Sequence, residues 1–164
     1  MMKNRSITIL LTSAMLLMSA GYSGLSLAHG DETHVVEKAQ FIGIDSAAGK
    51  VVTQFHNALQ TGNEAIVRQS LTENVQIYEG GKVERSLAEY ASHHLHADMA
   101  YLKGLTITLK EHQVAITGDI AISTAISHAQ GEYKSKSVDS ITMETLVLVK
   151  LADGSWKISH VHWS

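Results

Sequence analysis

Ten histidines and no cysteine frame the chemistry open to this chain of 164 residues. Imidazole is the side chain that titrates or binds metal ions near neutral pH, so the grouping of the histidines matters more than their number. His93, His94 and His96 form one cluster and His160 and His162 another; His29 and His34 lie near the start, and His56, His112 and His128 are scattered. On a helix His94 and Asp98 stand at i and i+4, which stacks them on one face beside Tyr90, Leu95 and Tyr101. On a strand His160 and His162 share a face. The absence of cysteine excludes a disulfide scaffold, a thiol redox centre, a cysteine metal site and a lipoprotein-type lipid anchor. Any metal must be held by His, Asp and Glu.

The elements that position these residues follow from periodicity. Asp45 or Ser46 caps a helix whose Ala48, Val51, Val52, Phe55, Ala58 and Leu59 recur at steps of 3 and 4, and Gly62 ends it. A second short helix follows over residues 63–71, with Asn63 as its cap. Residues 74–79 alternate as a strand, with Val75 and Ile77 against Gln76 and Tyr78, and Gly80-Gly81 stops it. Ser86 and Glu89 make a capping box for a third helix that runs to about Leu102. From Gly104 the period becomes 2. Val114 and Ile116 fall out of register with Leu105, Ile107 and Leu109, which places a bulge or bend near residues 111–113. Strands over residues 120–130, 138–151 and 154–164 complete the chain. In the last of these Trp156, Ile158, His160 and His162 are predicted on one face, and Lys157, Ser159, Val161 and Trp163 on the other. Helix, helix, strand, helix and four long strands describe an α+β domain whose curved antiparallel sheet wraps around a long helix.

The start of the chain reads differently. Lys3 and Arg5 precede an apolar run over residues 7–18, and Ser26-Leu27-Ala28 presents small residues at the two positions a signal peptidase reads. Residues 1–28 are therefore expected to be a signal peptide cut after Ala28, which implies a periplasmic or secreted protein with no membrane association afterwards. Residues 29–44 form a polar extension, and the domain occupies residues 45–164. Cleavage removes two of the 13 basic residues and none of the 16 acidic ones, leaving a formal charge of −5. A net acidic chain without a basic cluster is a poor partner for nucleic acid or anionic lipid.

Three segments carry a family resemblance: A-L-Q-T-G-N after the first helix, T-E-N-V-Q-I-Y-E in the first strand, and the closing D-G-S-W-K-I-S-H-V-H-W-S. With the order of elements they resemble the nuclear transport factor 2-like superfamily, in its SnoaL-like and ketosteroid isomerase-like branch. The resemblance implies a cone-shaped half-barrel enclosing a cavity. It places Glu79 where the isomerases carry a general base, and Phe55 where they carry an oxyanion-donating tyrosine. No counterpart of their protonated aspartate is found. It further implies that the third helix and the inner face of the last strand border the cavity, bringing His94 and Asp98 toward His160 and His162.

That arrangement allows several readings. Phe55, Tyr90, His94, Asp98, His160 and His162 could line a site for a small apolar or mixed-polarity molecule, with no cofactor required. Glu79, or His94 oriented by Asp98, could act as a base in an isomerase or lyase. Three imidazoles and a carboxylate, His94, Asp98, His160 and His162, would suit zinc, copper or nickel. In the plainest reading His160 and His162 are satisfied polar residues at a strand end, and His94 with Asp98 is a helix-surface pair. Trp163 and Val161, with Leu146 and Leu148, are expected to form an outer apolar face covered by a second copy in a homodimer.

Overall fold

The computed structural model describes residues 40–164. The expected signal segment, residues 1–28, and residues 29–39 of the extension lie outside the described residues. β1 (Phe41–Ile42) leads into α1 (Ala47–Thr61) and α2 (Glu64–Ser70), followed by β2 (Leu71–Glu79), β3 (Lys82–Glu84), α3 (Leu87–His93) and α4 (Leu95–Lys103). Four long strands complete it: β4 (Leu105–Thr117), β5 (Ile120–Tyr133), β6 (Lys136–Lys150) and β7 (Trp156–Trp163). All seven strands belong to one sheet in the order β1-β4-β5-β6-β7-β2-β3. β4 to β7 pair antiparallel, whereas β2 joins β7, and β1 joins β4, in parallel. The result is an α+β fold with a mixed sheet and four helices. Among the described residues, no helix is long and apolar enough to cross a membrane.

Local signals account for most boundaries. The Ser46 side chain accepts from the Gly49 amide at 3.0 Å and starts α1, and Gly62, at φ 74°, closes it with its amide bonded to the Ala58 and Leu59 carbonyls. Asn63 caps α2 through the Ile66 amide at 3.3 Å. Ser86 accepts from the Glu89 amide at 3.1 Å, and the Glu89 carboxylate reaches back to the Arg85 amide at 2.7 Å. Gly80 and Gly81, both at positive φ, turn β2 into β3, a strand the sequence reading did not foresee. The β5–β6 connection is tighter than expected, a two-residue turn at Lys134 and Ser135. The β4 irregularity falls between Leu109 and Glu111.

The expected third helix is two helices. α3 ends at His93, His94 adopts φ −98° and ψ −30°, and α4 begins at Leu95. The His94 ring is drawn to Glu84 on β3, so this junction is tied to the neighbouring strand.

The core lies between the helices and one face of the sheet. Val52, Phe55 and Leu59 of α1, Tyr90 of α3 and Leu95 of α4 meet Ile77, Leu146, Leu148, Ile158 and Val161 from the strands, all fully buried. β5 contributes its small row, Ala121, Ser123, Ala125 and Ala129, while Ile120 and Ile122 of the other row are exposed.

One register shift decides which residues of β7 face this core. Leu148 pairs with Ile158 but Val147 pairs with His160, so Ser159 is an extra residue on β7, its hydroxyl donating to the Val147 carbonyl at 3.1 Å. A single inserted residue sends everything beyond it to the opposite face. Trp156 and Ile158 therefore face inward, as do Val161 and Trp163, while His160 and His162 face outward. This corrects the predicted row of Trp156, Ile158, His160 and His162. It also removes the expected outer apolar face, because Leu146, Leu148 and Val161 are core residues and Trp163 packs against them.

Candidate functional site

Between α1, α4 and the inner faces of β4, β5 and β6 lies a cavity of about 620 Å³. That is within the range used by small-molecule sites. Its walls are largely apolar, with Leu102, Ile107, Leu109 and Ala129 prominent. The space exists because β5 turns alanine and serine toward the helices where larger side chains would fill it. Its acids and imidazoles fall into two groups, among neutral polar residues such as Asn57, Gln60, Tyr101 and Thr142.

In the first group Glu79, the last residue of β2, and Asp98 of α4 both line the cavity. Asp98 Oδ2 accepts the Tyr90 hydroxyl proton at 2.8 Å. Partial burial pushes the Asp98 carboxyl up to about 6, against which the Tyr90 hydrogen bond acts. Glu79 sits at the exposed rim, and its pKa is raised by desolvation of its cavity side and by the charge of Asp98, partly offset by His94. Tyr90 is fully buried, and burial with the adjacent Asp98 holds its hydroxyl in the neutral form.

Across Trp163 from Glu79 in the sheet register is a second group, which the sequence reading did not assemble. His56 Nε2 of α1 lies 2.7 Å from Glu144 Oε2 of β6, and the Trp163 indole N–H donates to the same oxygen at 2.7 Å. The Glu144 side chain is only 10% exposed. Burial opposes its charge, but His56 and the two hydrogen bonds outweigh this and lower its pKa. For His56 burial likewise opposes the charged form, and the Glu144 carboxylate raises its pKa in net. The ring is 39% exposed and lines the cavity. His112 of β4 completes this group, with Nε2 2.9 Å from the Ser123 hydroxyl. Burial first, and then the His56 charge, lower its pKa and favour neutral imidazole.

The structure thus brings Glu79 and Asp98 together at the cavity, with Tyr90 behind Asp98. His94 is bonded to Glu84 and does not orient on Asp98, which corrects the expected His94 and Asp98 dyad. Phe55 does not line the cavity; it is a core residue stacked on Trp163, ring centroids 6.4 Å apart. His160 packs on the Tyr78 ring, 5.3 Å between centroids, on the outer face that His162 shares. The four residues of the metal alternative, His94, Asp98, His160 and His162, therefore do not converge, and among the described residues no group of three or more His, Asp or Glu is placed to hold a metal ion.

Two signals pointed to the missed residues. His56 flanks the apolar stripe of α1 at i+4 from Val52, and Glu144 is an acid in the otherwise apolar and hydroxylated run I-T-M-E-T-L-V-L-V. An acid on the inner row of a strand needs a partner.

Comparison with known proteins agrees with this architecture. The SnoaL-like domain family matches residues 49–164. A crystal structure from Shewanella frigidimarina NCIMB 400, provisionally named a ketosteroid isomerase, is 82% identical, covers 76% of this chain and 99% of its own, and has a TM-score of 0.75. The CaMKII hub of S. rosetta is 26% identical over 72% of this chain and 93% of its own, with a TM-score of 0.60. An NTF2-like protein from Streptomyces avermitilis, provisionally named a dehydratase, is 21% identical over 71% and 91% respectively at a TM-score of 0.58, a likeness of fold alone. No curated protein matches the chain. Matched along most of its length, this chain belongs to the SnoaL-like domain family, and it shares the fold of nuclear transport factor 2-like proteins.

Proposed function

We propose that this is an exported protein that binds a small, mainly apolar molecule in the internal cavity, with polar groups of the ligand meeting its acids and imidazoles. The observation that carries the reading is the cavity itself: about 620 Å³, with largely apolar walls and a few acids and imidazoles among them. Such a combination is the usual form of a small-molecule site. Export rests on the basic and apolar character of residues 1–28 and the small residues before the cut. The test is native mass spectrometry of tag-free protein directed by its own leader. A mature mass beginning at His29 with a retained or exchangeable organic adduct is expected. An uncut chain would overturn export, and failure to take up any apolar probe would overturn ligand binding.

A second reading is acid–base catalysis of the isomerase or lyase type, which the relative provisionally named a ketosteroid isomerase favours. Glu79 at the rim would be the base, and protonated Asp98 could donate to a developing oxyanion. Phe55, which has no donor and lies in the core, takes no part in this chemistry. A pH profile with an inflection near the Asp98 value of about 6 would support it.

A homodimer remains part of the proposal, on different residues from those first expected. Ile120, Ile122, Ile141 and Met143 are exposed on the outer row of the sheet. We take a second copy to cover this face, since an exposed apolar patch of this kind marks an interaction surface. A monomer in sedimentation at micromolar concentration would sink the idea.

A further inference from the structure

We propose that the cavity is built for a neutral ligand whose hydroxyl group donates a hydrogen bond to Glu144. The inference rests on the ligand-binding reading and specifies the chemistry of one of the two groups.

Glu144 uses one carboxylate oxygen twice and the other not at all. Oε2 accepts from both His56 and Trp163, each at 2.7 Å, while Oε1 is buried without a hydrogen-bond partner. Among the described residues only Thr72 Oγ1 shares that condition, and Thr72 does not line the cavity. A carboxylate has about four acceptor positions, and a buried one left empty is a standing cost that a ligand donor can remove. Oε1 has almost no accessible surface, toward bulk water or toward the cavity, although the Glu144 side chain lines the cavity. The terminal carboxylate torsion of glutamate is broad, and turning it toward a donor in the cavity would present Oε1 while loosening the Oε2 bonds to His56 and Trp163, so the ligand donor must offset that loss. In the sheet register Ala125 stands between Glu144 and His112, and a methyl group there leaves room on that side.

The charge balance selects the type of donor. His56 already supplies the cation for Glu144, and His112, the next titratable group, faces the pair from β4 bonded to Ser123. An ammonium group would put a second cation beside His56, and a ligand carboxylate would face Glu144 directly. A hydroxyl satisfies Oε1 without adding charge. Ile107 and Leu109 supply the apolar wall for the rest of the molecule.

Calorimetric titration of the purified protein with 2-phenylethanol, its methyl ether, ethylbenzene, 2-phenylethylamine and 3-phenylpropionate tests this. The alcohol is expected to bind about tenfold or more tightly than the ether, which keeps the oxygen but has no proton to donate, and more tightly than the amine or the acid. In Glu144→Gln the amide carbonyl would remain with His56 and Trp163 and its NH₂ would turn to the ligand, donating to alcohol and ether alike, so the gap should close. The comparison on unmodified protein does not depend on that variant folding. Equal binding of alcohol, ether and ethylbenzene would overturn the hydroxyl subsite and leave the cavity reading intact. Preference for the amine or the acid would overturn the neutral-donor assignment. No binding of any probe would overturn the cavity reading and this one with it.

Discussion

Where β2 and α4 border the cavity, Asp98 is bonded to a neutral phenol and Glu79 lies near it at the rim; where α1 and β6 border it, Glu144 is bonded to an imidazole. Both places take carboxylates partly out of water. The first answers by raising their pKa, so that Asp98 tends to hold a proton; the second keeps the charge and supplies a cation. Burial alone therefore does not decide the state of an acid. What decides it is whether the fold delivers a positive partner, and here that partner is one residue of α1.

The largest effect should come from removing the paired acid. Glu144→Ala leaves His56 and the Trp163 indole without their acceptor, and is expected to lower stability by about 2 to 4 kcal/mol in urea denaturation near pH 6, reduced from a fully buried pair because His56 meets the cavity. An unchanged midpoint would mean the pair stabilises nothing.

Asp98→Asn should act in the opposite direction. A carboxyl raised to about 6 contributes stability that is complete below its ordinary 3.8 and is lost as pH rises through about 6. The variant keeps an acceptor for Tyr90 and no longer ionises, so it is expected to be more stable than the parent by about 1 to 2 kcal/mol at pH 8 and equal to it near pH 4. Loss of stability at pH 8 would show that the Asp98 charge is wanted there.

Tyr90→Phe is expected to cost about 1 kcal/mol at pH 8, where the hydroxyl serves an ionised carboxylate, and less at pH 4. The smallest effect is a titration. His56 has a folded pKa above its ordinary 6.5, so its share of the pair is complete below 6.5 and is lost as pH rises through the folded value. Glu144 has one below 4.5, so its share is complete above 4.5 and is lost as pH falls through the folded value. The pair is thus fully effective from about 4.5 to 6.5. Nitrogen-15 NMR of the His56 ring should give a midpoint above 6.5 that falls in Glu144→Gln; a midpoint below 6.5 would remove the contrast between the two places.

The helix caps at Ser46, Asn63 and Ser86 were legible because each depends on a side chain bonding an amide three residues ahead. Glu79 and Asp98 were also singled out, one at a strand end and one on a helix face beside apolar residues. His160 and His162 were read onto the wrong face because strict alternation was assumed through Ser159. A bulge is a property of two paired strands, and nothing in G-S-W-K-I-S-H-V-H-W-S announces that Val147 will bond to its sixth residue.

From its amino-acid order alone this protein determined what short-range physics controls: the turns at glycine, the helix starts, the period change after Gly104 and the row of small residues in β5. Only the tertiary structure decided which face of β7 is inside and which acid receives a cation. His56 and Glu144 are 88 residues apart, and their meeting depends on where α1 crosses β6. That crossing is set by the packing of Val52, Phe55 and Leu59 against the sheet, a sum of many weak contacts that no local pattern encodes.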